Sequence, residues 1–95
     1  MTEVRLKHAW SRTFVSAHYD FKAEDPDGVV FGRIRRLDYG PQQGRWEWHM
    51  NDDRYTASGV AIAGFEVSKK TAALAVEAAF EEARRRCLSN EDLVR

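Results

Sequence analysis

The spacing of apolar residues changes at Ser68. Before it, apolar and polar residues alternate, the period of two that turns one side of a strand toward a core. After it, Val76, Phe80, Ala83 and Cys87 recur at intervals of four, three and four, with Ala72, Ala73 and Ala79 beside them, the spacing of one helix face. The pattern predicts an α+β fold: an antiparallel meander of three to four strands with one C-terminal helix packed on one face.

Along the chain, Val4, Leu6 and Trp10 alternate with Glu3, Arg5 and Lys7, so residues 1–12 read as an extended arm or an edge strand. The sheet is expected within residues 13–66. Thr13, Val15, Ala17, Tyr19 and Phe21 form a first alternating run, interrupted by Phe14. Glu24-Asp25-Pro26-Asp27-Gly28 is a turn, with proline presetting φ and glycine supplying a positive one. Val29–Leu37 is the second strand, and Gly40-Pro41 and Gly44 mark a loop. Arg45–Met50 is the third, with Trp46, Trp48 and Met50 pointing one way into the core. Asn51–Ser58 is polar and reads as a loop, and Ser58–Phe65 is the candidate fourth strand. Ser68 is placed to cap a helix spanning residues 68–87, with 88–95 as a loose tail.

Composition narrows the functional classes. Ninety-five residues fit one domain, which should bury about 60–65% of its unfolded surface. Lysine plus arginine number 15 and aspartate plus glutamate 15, so a protein living on phosphate contacts would be atypical at this zero net charge. No apolar run approaches the ~20 residues of a membrane span. The one cysteine, Cys87, falls on the helix's apolar stripe and is expected to pack as a small hydrophobe. A lone cysteine and the absence of a signal-peptide core point to a cytoplasmic protein.

Signals of catalysis are nearly absent. His8, His18 and His49 have no cysteine or carboxylate at a metal-ligand spacing. The chain has no phosphate-binding glycine loop and no nucleophile elbow. The acidic groups Glu24-Asp25-Asp27 and Asp52-Asp53 read as solvated turns. Neither an enzyme nor a metal or cofactor site is expected.

The candidate site is a sheet face. Phe31, Arg33, Arg35 and Leu37 alternate on the second strand and are expected to project together, with Val30 and Ile34 in the core and Arg36 in register with the covered face. If Trp46 and Trp48 meet the helix, Arg45, Glu47 and His49 face away from it. The expected patch is therefore Arg33, Arg35, Arg45 and His49 around Glu47. Arginine opposite Glu47 would also be an ordinary cross-strand ion pair. On the helix, Leu74 lies nearly opposite Val76 and Phe80, and with Ala78 it marks a candidate dimer contact.

Gly32-Arg33-Ile34, Trp46-Glu47-Trp48 and the alanine-rich helix carrying Phe80 resemble small bacterial sheet-plus-helix proteins of unknown function. That resemblance implies the fold and no activity. Arg33, Arg35, Arg36, Arg45 and Trp46, with Phe65-Glu66 ahead of the helix, are loosely similar to plant ethylene-response-type DNA-binding domains, which carry a three-stranded sheet followed by one helix. Antitoxin-like sheet-plus-helix domains share the outline. The expectation is a non-catalytic cytoplasmic interaction module whose sheet face binds a protein partner or a second copy. The alternative is a nucleic-acid-binding sheet that uses the same arginines on phosphates or guanine edges.

Overall fold

The computed structural model describes residues 6–51 and 60–94, with side-chain surroundings as far as residue 87. The Asp52-Asp53 pair, the start of the candidate fourth strand and the first residues of the N-terminal arm lie outside the described residues. The elements are β1 (Ala9–Arg12), β2 (Asp20–Glu24), β3 (Val30–Arg36), β4 (Trp46–Met50), β5 (Ala63–Glu66) and α1 (Lys69–Val94). The strands form one antiparallel sheet in the order β1-β2-β3-β4-β5, and α1 lies across β3, β4 and β5. The α+β class and the C-terminal helix are as the alternation predicted. The sheet has five strands rather than three to four, because Ala9–Arg12 pairs fully with β2.

The first alternating run is displaced. Only its end enters β2; residues 13–19 form the connection from β1, where the Ala17 amide bonds to the Phe14 carbonyl at 3.0 Å. The next turn forms where its residues demand. The Gly28 amide closes on the Asp25 carbonyl at 2.9 Å with φ +82°, and Asp25 Oδ1 accepts the amides of Asp27 (2.9 Å) and Val29 (3.0 Å).

The core is one cluster of Ala23, Phe31, Ile34, Trp46, Trp48 and Met50 from the sheet with Ala72, Ala73, Val76, Ala79, Phe80 and Ala83 from α1. The helical alanines let the two layers approach closely. At Gly32 the approach is so tight that an added Cβ would run into the Val76 side chain and come within 3.1 Å of the His49 carbonyl. Opposite Gly32 the register shifts between Ala23 and Glu24, a β-bulge that leaves Phe31 unpaired in the β2 ladder. Phe31 turns inward, fully buried, and stacks on Phe80 with ring centroids 3.9 Å apart. This corrects its expected projection with Arg33 and Arg35. Val30, expected in the core, is 39% exposed for the same reason.

Ser68 caps α1: its Oγ accepts the Thr71 amide at 3.2 Å, and Thr71 Oγ1 accepts the Ser68 amide at 3.3 Å. The helix runs through Val94, where a tail was expected, since residues 88–94 contain neither the glycine nor the proline that would stop it. Arg84, Arg85 and Arg86 therefore sit inside the helix rather than at its end. Arg85 and Arg86 both bond to Glu82, holding its carboxyl down at about 2. Glu81, spaced to pair with Arg85, instead takes His8 Nε2 at 2.8 Å.

Candidate functional site

The strands bring four of the five sheet-face candidates onto the side opposite the helix. In the β3–β4 register Arg33 lies across from His49 and Arg35 across from Glu47. Arg45 directly precedes β4, where its carbonyl accepts the Leu37 amide at 2.9 Å, and is exposed at the end of the same row. The face also includes three residues outside the expected patch, Asp20, Lys22 and Glu24, the last two because β2 runs on to Glu24, past the expected end of the first strand.

Those additions decide the electrostatics. Arg33 grips Asp20 through both Nε (2.8 Å) and Nη2, a charge-assisted bidentate pair. Burial alone would raise the Asp20 carboxyl's pKa. Hydrogen bonds from Arg33 and Thr13, with the charges of Arg33 and Arg35, outweigh that and leave it below its usual value. The bond to Asp20 raises Arg33 in turn. Arg35 Nε reaches Glu47 Oε1 at 2.9 Å, the cross-strand pair that the register offers, and Lys22 Nζ lies 3.4 Å from Glu24. The row thus alternates in sign and compensates itself. It is a solvated ladder of ion pairs, not a field of one charge.

Exposed apolar groups collect elsewhere on the sheet. Along the β5 edge, Phe65 is 46% and Val67 72% exposed, with Ile62 and Ala63 beside them. Gly64 lies between, on the covered side, because the Trp48 indole lies over it: an added Cβ would sit 2.7 Å from Nε1. At one end of the sheet a cleft of 510 Å³ opens between residues 17–20 and 35–39. It contains His18, Arg35 and Arg36 but also Asp20 and Asp38, and the Arg36 guanidinium already lies 3.4 Å over the Tyr19 ring. On α1, Ala78 is exposed and Leu74 half-buried.

The opposite edge carries a buried polar site that the helical pattern did not reveal. Glu77, only 4% exposed, accepts the Lys7 amide at 2.8 Å, the His8 amide at 3.0 Å and the Trp10 indole N–H at 2.9 Å. His8 packs edge-on against Phe31 and Phe80. The segment before β1 is thereby bound across the flank of the core. These are structural bonds: each Glu77 oxygen is already engaged by the chain itself.

Among the described residues no group of His, Cys, Asp or Glu could hold a metal ion, and no helix is long and apolar enough to cross a membrane. No family model matches the chain, and neither a curated protein nor a solved structure matches it.

Proposed function

We propose that the chain is a non-catalytic interaction module that binds protein, a partner or a second copy of itself, through its sheet. One observation carries this reading. On the open face Arg33 is paired with Asp20 and Arg35 with Glu47, while the strip at β5 beside it exposes Phe65 and Val67. A surface of that kind gains by excluding water, which a protein surface can do and a phosphate backbone cannot. The nucleic-acid alternative draws less support, because a phosphate contact by Arg33 or Arg35 would first have to break an arginine–carboxylate pair. The lone cysteine supports a reducing, cytoplasmic setting for such a module.

The test is an NMR titration of labelled protein with a mixed pool of short DNA duplexes, at low and then moderate salt. The expected result is no shift in the amides of residues 31–36 and 45–49. Shifts confined to those residues and reversed by salt would overturn the reading in favour of nucleic acid.

A further inference from the structure

Beyond that reading, we infer that the cleft between residues 17–20 and 35–39 is a binding site for a small aromatic carboxylate, with Arg36 as the group that holds the carboxylate.

The cleft exists because two chain segments part. The Arg36 amide donates to the Tyr19 carbonyl at 2.9 Å, the last rung between them. Among the described residues the return bond, from the Tyr19 amide to the Arg36 carbonyl, is not made. Past that rung the segment before β2 folds back on itself, with the Ala17 amide on the Phe14 carbonyl at 3.0 Å. Leu37 instead stays with the β4 side, its amide on the Arg45 carbonyl at 2.9 Å. The fork between them measures 510 Å³, within the roughly 300–1,000 Å³ of small-molecule sites. Successive strand residues project to opposite sides, so Arg35 lies on the open face and Arg36 on the helix side, across from Trp46. A ligand lying on either face would meet one of them. At the end of the ladder the fork is lined by both.

The charges around the fork are unequally engaged. The Asp20 carboxylate is taken by Arg33 and by Thr13 Oγ1, and Arg35 gives its Nε to Glu47. Arg36 meets Asp38 only at 3.5 Å, beyond the roughly 2.7–3.2 Å of a formed N–H···O bond, and the Asp38 side chain is 65% exposed. Of the three arginines of β3, Arg36 is therefore the one with no carboxylate at hydrogen-bonding distance among the described residues. It is nonetheless fixed, with its guanidinium 3.4 Å over the Tyr19 ring. An arginine held flat on a ring is oriented before a ligand arrives, and its planar edge matches the two oxygens of a carboxylate. A ligand carboxylate would take the place that Asp38 fills loosely. The walls call for a ring. Tyr39 is 86% exposed, and His18 and Tyr19 stand with it around the fork. A flat ligand can stack on these rings offset or edge-on while its acid group reaches Arg36. An inorganic anion or an aliphatic acid would use the arginine and leave the rings uncovered.

NMR titration of the full chain with benzoate, at fixed pH and ionic strength, tests this, with benzamide, acetate and inorganic phosphate as comparison probes. Benzoate is expected to shift the amides of residues 17–20 and 35–39 saturably, with a dissociation constant of about a millimolar, as so small a ligand allows. Benzamide keeps the shape without the charge, and acetate and phosphate keep charge without the ring; each should bind at least about fivefold more weakly. Arg36→Gln should weaken benzoate about tenfold, and Tyr39→Ala about threefold. Asp38→Asn should strengthen it about threefold, because it removes the competing carboxylate at an exposed position. Loss of binding in Arg36→Gln could follow from a displaced Tyr19, whereas a gain in Asp38→Asn cannot follow from misfolding. The inference is overturned if benzoate gives no saturable shift in those amides, if Arg36→Gln binds it as wild type does, or if Asp38→Asn brings no gain. Acetate or phosphate binding as tightly as benzoate would overturn it in favour of a plain anion contact. β5 lies beyond β4 from the cleft, so none of these results bears on the protein-binding reading.

Discussion

The two edge strands of this sheet are equally short, four residues each, and are held in opposite ways. β1 lies outside the span of α1, and the segment entering it is tied to the helix by Glu77, which takes two amides and an indole, and by His8, which reaches Glu81. β5 lies directly under α1, and the chain turns from it into Ser68 and the helix. Its anchor is packing, the Trp48 ring on Gly64. One edge is therefore held by a buried carboxylate that cannot be moved without stranding donors. The other is paired on one side, and among the described residues nothing bonds to its outer groups. The difference teaches where a sheet of this kind can accept a neighbour: at the edge whose stability does not depend on what its outer side touches.

Breaking the β1 anchor should give the largest effect. Glu77→Ala removes the acceptor for three donors in a nearly buried site and is expected to cost about 2–4 kcal/mol, read from urea denaturation. Hydrogen exchange should show the loss of protection concentrated in β1. Glu77→Gln keeps an acceptor oxygen and should retain about half of that stability. If Glu77→Ala unfolds at the wild-type midpoint, β1 is held by its ladder alone and the contrast between the edges disappears.

The β5 anchor is broken by volume rather than charge. Gly64→Ala would place a Cβ 2.7 Å from Trp48 Nε1 and 3.0 Å from Cε2, so the indole must shift within a packed core. The expected cost is about 1–3 kcal/mol, with a change in tryptophan fluorescence. A neutral outcome would mean that Trp48 has room to move and that β5 is fixed by backbone pairing.

Much of this was legible in the chain and some was not, for identifiable reasons. Trp46 and Trp48 were placed in the core by simple alternation, and both are buried there. The Ser68 cap and the Asp25–Gly28 turn follow from local chemistry within four residues, where sequence is most informative. Phe31 was assigned to the wrong side because a bulge resets the parity of a strand, and nothing in Val29-Val30-Phe31-Gly32 announces one. Gly32 was the available hint: a glycine inside a strand marks a bulge or a close approach, and here it marks both. Glu77 was unreadable because its partners, Lys7, His8 and Trp10, lie 67 to 70 positions away. A glutamate beside an apolar stripe normally faces water. The arginines of β3 and β4 lie on the open face, and their neutralisation depends on Asp20 across from Arg35 in β2, a carboxylate 13 positions before the Arg33 it binds, which alternation alone does not pair with either arginine.

Asp20 also ties the connection from β1, since Thr13 Oγ1 donates to its carboxylate at 2.6 Å and the Thr13 amide to its carbonyl at 3.0 Å. Its pKa lies below the unfolded value, so folding favours the ionised form. The stability this supplies is fully present above the unfolded aspartate range and is lost as pH falls through the lowered folded value. Arg33 is partly exposed, so the contribution is discounted for solvent to about 1 kcal/mol or less. Asp20→Asn should therefore be slightly less stable than wild type near neutral pH, and the difference should shrink as acid protonates the wild-type carboxyl. A gap that persists unchanged in acid would assign the loss to geometry rather than charge.

The smallest effect on the fold is expected at the position with the largest expected effect on association. Phe65 is 46% exposed, its ring is on the open side, and its backbone groups point away from β4. Phe65 is not among the buried core residues, and Phe65→Lys strands no donor within the monomer, so its unfolding free energy, measured under dilute conditions, should lie within about 0.5–1 kcal/mol of wild type. A lysine on an exposed edge strand is also a common natural protection against pairing. The same substitution at the same edge should nonetheless weaken protein association made through the β5 strip, read by sedimentation velocity over a wide concentration range. If Phe65→Lys instead destabilised the monomer as strongly as Glu77→Ala, β5 would be part of the core's support in the way β1 is, and its openness would no longer set it apart as the edge free to take a neighbour.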